Sequence, residues 1–263
     1  MSILLTGSNG FIGNEIRSND DFKNQHEILL YESLPDIRKA KKSKDLKLIH
    51  LAGKFFGKNR EVWEGNVEFT RKLLEQFNEH NLRKVLFLST GAVYGKVLRS
   101  SGSREQDRED PSTYYGLTKL LTEKIIINNF IDKNIKYYIL RLPNVYGLSQ
   151  KKGVVYEFSK QIQEGRNIKI KGNGKQERDF LHISDLIRAL LLFINTDANS
   201  GIYNISSSLT LSVENLANKL IGNKNIKKVF LPGNDNLNQL ILDYSLAEKV
   251  IGYKPLINNL KLI

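Results

Sequence analysis

Short apolar runs alternate along the chain with longer segments whose apolar residues recur at helical spacing. Ile3 to Thr6 reads as a buried strand halted at Gly7, and Phe11, Ile12 and Ile16 then follow helical spacing. Residues 27–31 and 46–51 read as the second and third strands. Val67, Leu73, Leu74 and Phe77 mark one face of a helix over about 62–79. Residues 85–89 predict a strand, 113–130 a helix and 137–141 another strand. Apolar strands alternating with helices predict an α/β fold whose parallel sheet is covered on both faces. Beyond Pro143 the pattern is less regular. It predicts helices over 156–162, 184–193 with Ser184 as N-cap, and 212–220 opened by Ser212. Short strands are expected over 168–170 and 201–205.

A chain of 263 residues can bury a sizeable core, and with no cysteine it has neither a disulfide framework nor a thiol nucleophile. The apolar run 189–194 is far too short to span a membrane. The opening residues 1–7 show no signal-peptide pattern, so a cytoplasmic location is expected. The net charge of +12 favours anionic partners. Its densest run, residues 38–44, reads as a solvated helix face, and the basic residues form no nucleic-acid motif.

Gly7-Ser8-Asn9-Gly10-Phe11-Ile12-Gly13 joins the first strand to the first helix. A phosphate needs bare backbone N–H groups at a helix N-terminus, and a Cβ at the crossing points would hold it off. Glu32 follows Gly13 by 19 residues, at the end of the second strand. A carboxylate there accepts hydrogen bonds from a ribose 2′-hydroxyl and repels a 2′-phosphate, which favours NAD over NADP. Arg38 and Lys39 are near enough in sequence to keep NADP open.

Tyr115 and Lys119 stand four residues apart on one helix face. A free phenol is a poor base at neutral pH, and a nearby cation lowers its pKa enough for proton exchange with a sugar hydroxyl. About two of the 11 tyrosines should have a basic residue at +4 by chance, and Tyr137 and Tyr156 do. The flanks single out Tyr115. Leu88-Ser89-Thr90-Gly91-Ala92-Val93-Tyr94-Gly95 lies upstream and Arg141-Leu142-Pro143-Asn144-Val145-Tyr146-Gly147 downstream.

These segments occur in order with His50-Leu51-Ala52-Gly53 and Arg178-Asp179-Phe180-Leu181-His182-Ile183-Ser184-Asp185. Over nearly its whole length the chain resembles the extended short-chain dehydrogenase/reductase family, in its nucleotide-sugar epimerase/dehydratase branch. The resemblance implies a doubly wound Rossmann domain over 1–147. A small C-terminal α/β substrate domain would cover 148–263, with 175–205 partly returning to the first. It implies Thr90, Tyr115 and Lys119 as catalytic residues. NAD would be held by Gly7, Asn9, Gly10, Phe11, Ile12, Gly13, Glu32, Leu51, Ala52, Gly53, Lys119 and Pro143. A nucleotide-diphosphate sugar would meet Thr90, Asn144 and Arg178, and no metal is implied. A homodimer through helices 64–77 and 113–130 is also implied.

Four departures sharpen the reading. Residues 33–45 are too few for the extra strand and helix that relatives carry there, so an edge strand should be missing. Gly91-Ala92 follows Thr90 where the family's dehydratases place Asp-Glu, which argues against water elimination. Asn236, Asn238 and Gln239 stand where relatives often have an arginine for the diphosphate. After Pro255 little chain remains for a closing helix.

The expected activity is hydride transfer at the sugar C4, with Tyr115 exchanging the proton of the 4-hydroxyl and Thr90 bonded to that oxygen. Glu32 leans towards a 4-epimerase. The compact substrate part leans towards a 4-keto-6-deoxy-sugar reductase. A non-catalytic NAD(P)-binding sensor is the competing class.

Overall fold

The computed structural model describes residues 2–31, 37–38, 40, 42–43, 45–77, 81–95, 101–233 and 239–260. Among these, the main sheet is formed by β1 (Ser2–Thr6), β2 (Glu27–Leu30), β3 (Leu46–His50), β4 (Leu82–Thr90), β5 (Lys136–Leu142) and β9 (Gly201–Asn204). The order is β2-β1-β3-β4-β5-β9, with every pairing parallel. The direction of winding reverses between β1 and β3. In such sheets the crevice beyond the carboxyl ends of those two strands is where a ligand finds room. β2 forms the edge of this sheet, and the described residues between 33 and 45 form no strand.

Both faces of the sheet are covered, which is why β1 and β3 are buried at every position. On one face Leu4, Leu48, Phe87 and Ile139 meet Leu73, Leu74, Ile126 and Phe130. The first pair of these comes from α3, a continuous helix of Asn59–Trp63, a π-turn Glu64–Glu68 and Phe69–Leu74. The second comes from α4 (Tyr114–Phe130). On the other face Ile3, Leu5, Leu86 and Leu140 pack on Ile16 of α1 (Phe11–Ser18) and Phe22 of α2 (Asp20–Gln25). Leu186, Leu190 and Phe193 of a later helix complete that layer.

The chain between β5 and β9 builds a second, smaller layer from β6 (Asn144–Tyr146), α5 (Val154–Gln163), β7 (Ile168–Lys171) and β8 (Glu177–His182). It then returns as α6 (Ile183–Asn195) to the main sheet, where buried Lys47 and Lys84 both donate to Ile194 O at the C-terminal end of α6. Cations there complement the exposed carbonyl ends of the helix. After β9 come β10 (Thr210–Ser212), α7 (Val213–Ile221), β11 (Lys228–Leu231), β12 (Gln239–Leu240) and α8 (Ser245–Ile251). β8 lies between β10 and β12 and also pairs with β6, while β7 pairs with β11. Phe158, Ile162, Ile170, Leu216 and Leu220 form the core of this part.

Two boundaries differ from the sequence expectation. The cap of α6 is His182, whose Nδ1 accepts from Ser184 N–H at 3.2 Å, because His182 is the last extended residue and the helix begins at Ile183. The helix expected over 62–79 runs over 59–74. Ser212 does cap α7, accepting from Asn215 N–H. Asn236 and Asn238 lie outside the described residues, and Gln239 donates to Glu177 Oε2 at 2.9 Å. After Ile251 the described residues form no further helix. Asp185 accepts from the N–H groups of Leu256 and Ile257. No helix among the described residues is long and apolar enough to cross a membrane.

Candidate active site

The first loop of the crevice is shaped by two glycines. Gly7 has φ +68, and a Cβ there would come within 2.8 Å of Ala52 N. A Cβ at Gly13 would stand 2.4 Å from Gly7 O, so only glycine lets α1 pack this close to the loop. The Gly10 N–H closes the turn onto Gly7 O at 3.0 Å. No side chain caps α1, which leaves the N–H groups of its first turn facing outwards, a setting suited to a pyrophosphate.

The second loop, after β3, is held from behind by a buried polar chain. Ala52 N–H donates to Thr6 Oγ1, and His50 stands between Thr6 Oγ1 and Thr70 Oγ1 at 2.7 Å on each side. Asn66, in the π-turn of α3, accepts from Lys54 N–H at 2.6 Å and donates to Lys54 O and to Thr118 Oγ1 of α4. One buried amide thus ties the β3 loop to the helix of Tyr115 and Lys119. π-turns of this kind recur at functional sites.

Between these loops and the ends of β4, β5 and β6 lies a cavity of about 720 Å³. Its wall includes Phe11, Ile12, Leu51, Gly53, Thr90, Tyr115, Lys119, Pro143, Asn144 and Arg178, all singled out from the sequence. Gly7, Asn9, Gly10 and Ala52 belong to the loops beside it and Gly13 to α1, and none of them lines it. Glu32 lies outside the described residues. Arg178 is buried in the wall, with Nη1 donating to Glu177 O at 2.7 Å.

Thr113 caps α4 by accepting from Gly116 N–H, and this sets Tyr115 and Lys119 in its first turns. The Lys119 ammonium stands 4.0 Å from the centre of the Phe87 ring. Burial pulls its pKa down to about 7, while the Glu123 carboxylate one turn on works to raise it. The Tyr115 phenol is pushed up by burial, not lowered by the lysine as the spacing alone suggests. Desolvation of the anion outweighs the cation here.

Several residues were not foreseen. Ser89 lines the cavity and donates to Glu123, which forms a fully buried ion pair with Arg141 at 2.6 Å. The Arg141 guanidinium also lies 4.6 Å from the Tyr94 ring centre. Phe55 and Phe56 line the mouth, and the buried amide of Asn66 sits on the inner face of α3, where the spacing of Val67, Leu73 and Leu74 marks only apolar positions.

A parallel sheet wound in both directions from β1, with a glycine turn at the switch point and a Tyr-x-x-x-Lys helix lining the same cavity, defines an α/β protein of the Rossmann type. Residues 48–206 match the NAD dependent epimerase/dehydratase family, and the chain belongs to that family. It is 32% identical to the dTDP-4-dehydro-6-deoxyglucose reductase of Escherichia coli over 72% of its own length, which spans 61% of that relative. It is 31% identical to human dTDP-D-glucose 4,6-dehydratase over 59% of this chain and 45% of that one. Among solved structures it resembles the UDP-glucose 4-epimerase of Thermotoga maritima with UDP-glucose. That likeness has a TM-score of 0.87, 25% identity, and coverage of 98% of this chain and 94% of the other. The UDP-glucuronic acid 4-epimerase of Bacillus cereus, in complex with UDP-glucuronic acid and NAD, has a TM-score of 0.84 at 25% identity, covering 98% and 95%.

Proposed function

We propose that this chain binds NAD in the crevice and carries out hydride transfer at C4 of a nucleotide-diphosphate sugar, as a 4-epimerase. The observation that carries the reading is the shared cavity: Thr90, Tyr115 and Lys119 line it together with Phe11 and Ile12 at the head of α1. Residues 1–147 hold the cofactor and 148–263 the sugar nucleotide, with 175–205 partly returning to the first part.

Gly7, Asn9, Gly10, Phe11, Ile12 and Gly13 hold the pyrophosphate, with Leu51, Ala52, Gly53 and Pro143 along the rest of the cofactor. The bare N–H groups of α1 and the glycine cradle fit that group. When bound, NAD supplies the acceptor and donor of hydride at the sugar carbon. Tyr115 takes the proton from O4 of the alcohol and returns it to O4 of the ketone. Thr90 donates a hydrogen bond to the same oxygen. Lys119, charged below about pH 7, stands one helix turn from Tyr115 and holds a ribose hydroxyl. Asn144 and Arg178 hold the substrate's diphosphate.

Elimination of water is not part of this reading. No carboxylate follows Thr90, and a Cβ at Gly91 would stand 2.8 Å from side-chain atoms of Leu240 and Leu242. Reduction of a 4-keto sugar is the second reading, supported by the raised Tyr115 phenol, which favours the proton-donating form. A cytoplasmic homodimer through helices 64–77 and 113–130 completes the proposal, with Trp63, Tyr114 and Leu117 exposed around those helices.

The test is a Tyr115→Phe variant assayed beside the unaltered chain against uridine and thymidine diphosphate sugars. Turnover should fall about 10²–10⁴-fold while calorimetry reports unchanged NAD affinity. Persisting turnover contradicts the assignment. Inactivity of both proteins with NAD bound favours the non-catalytic sensor.

A further inference from the structure

Phe55 and Phe56 are 56% and 65% exposed, and Phe55, Phe56 and Tyr115 all line the cavity wall. The rings of Phe55 and Phe56 meet edge to face at 4.3 Å. Phe55 meets the Tyr115 ring at 4.5 Å in the same manner. The aromatic surface therefore begins at Tyr115 itself. Its backbone is anchored, because Asn66 grips both Lys54 N–H and Lys54 O. The charge of Lys54 is paired with Glu61 at 2.5 Å.

We propose that Phe55 and Phe56 select the substrate by the group on C6, favouring a 6-deoxy sugar over a 6-hydroxy sugar and most strongly over a uronic acid. This rests on the reading of Tyr115 as the residue at O4. Beside C4 a hexopyranose has two neighbours. C3 carries a hydroxyl, which needs a hydrogen-bond partner that two phenylalanine rings do not offer. C5 carries a hydrogen and C6, the substituent that differs most among sugar nucleotides. An apolar C5–C6 edge gains by covering the rings. A 6-hydroxyl set against them loses water without a partner, and a carboxylate loses more.

The test uses three ligands that differ only at C6: UDP-6-deoxyglucose, UDP-glucose and UDP-glucuronic acid. Each is titrated into the protein–NAD complex by calorimetry, and hydride transfer is followed at 340 nm. The 6-deoxy sugar should bind and react about 10-fold better than UDP-glucose, and about 100-fold better than the uronic acid. In Phe55→Ala/Phe56→Ala, both exposed positions, the ratios should fall to about twofold, a change that a general loss of stability would not produce. Equal affinity and turnover across the three sugars, or ratios unchanged in the double variant, overturn the selection and leave the C4 reading standing. Failure of all three to bind, with their thymidine diphosphate counterparts failing too, overturns both.

Discussion

Acidification from pH 7 to pH 5 should remove about 2 kcal/mol of stability through His50 alone. The ring is fully buried, with Thr6 Oγ1 and Thr70 Oγ1 each 2.7 Å from a nitrogen. Thr70 donates its own proton to Asn66 O at 2.6 Å, so Nε2 must donate to Thr70. Nδ1 then accepts from Thr6, whose oxygen also accepts from Ala52 N–H. The neutral ring satisfies every partner, and a second ring proton would displace the Thr6 hydrogen from its acceptor. Burial first, and the charge of Lys119 second, hold the ring pKa down at about 3 from the usual 6.5. The unfolded chain gains a proton as pH falls through 6.5, and the folded chain does not until about 3. The contribution is therefore fully present above 6.5 and is lost as pH falls across that window, reaching about 4–5 kcal/mol at its foot. Urea unfolding followed by the fluorescence of the sole tryptophan, Trp63, measures it at each pH. Carboxylates add their own pH dependence, so the quantity to compare is the loss in the unaltered chain against that in His50→Gln, whose amide does not titrate. The unaltered chain should lose about 2 kcal/mol more. Equal losses would refute the neutral, fully bonded His50 and the polar chain built on it.

Gly13→Ala places a methyl 2.4 Å from Gly7 O, and calorimetry should find weaker NAD binding alongside about 1–3 kcal/mol of lost stability. Arg141→Met leaves buried Glu123 without its cation and should cost about 3–5 kcal/mol in thermal unfolding. Arg141→Met/Glu123→Gln should recover much of that. NAD affinity should decline as pH rises through about 7, where Lys119 loses its charge, and Glu123→Gln should move that midpoint lower. A pH-independent affinity would remove Lys119 from the cofactor site.

The central parallel sheet was legible because its strands are short, mainly apolar runs, and period and glycine punctuation mark their ends. The glycine loop and Tyr115–Lys119 were legible because their chemistry is local: one turn, one helix face. What escaped was set by tertiary pairing. β6, β10 and β12 are two or three residues long and exist only because β8 lies beside them, so no pattern within them announces a strand. Asn66 and Glu123 act on residues remote in sequence, Lys54 and Thr118 for the first and Ser89 and Arg141 for the second. The aromatic mouth was missed because Phe55 and Phe56 sit in a loop, where periodicity is silent. The direction of the Tyr115 shift also depended on burial, which the four-residue spacing does not report.

The most direct test follows the hydrogen on C4. A nucleotide hexose carrying deuterium at C4 is incubated with the protein and NAD, and the sugar and the nicotinamide are examined by NMR. The account predicts that deuterium leaves C4 for the nicotinamide and, in a 4-epimerase, returns to C4 of the inverted sugar, with neither event in Tyr115→Phe. Inversion with deuterium exchanged into water, or label that never leaves C4 in any uridine or thymidine sugar while NAD is bound, contradicts it.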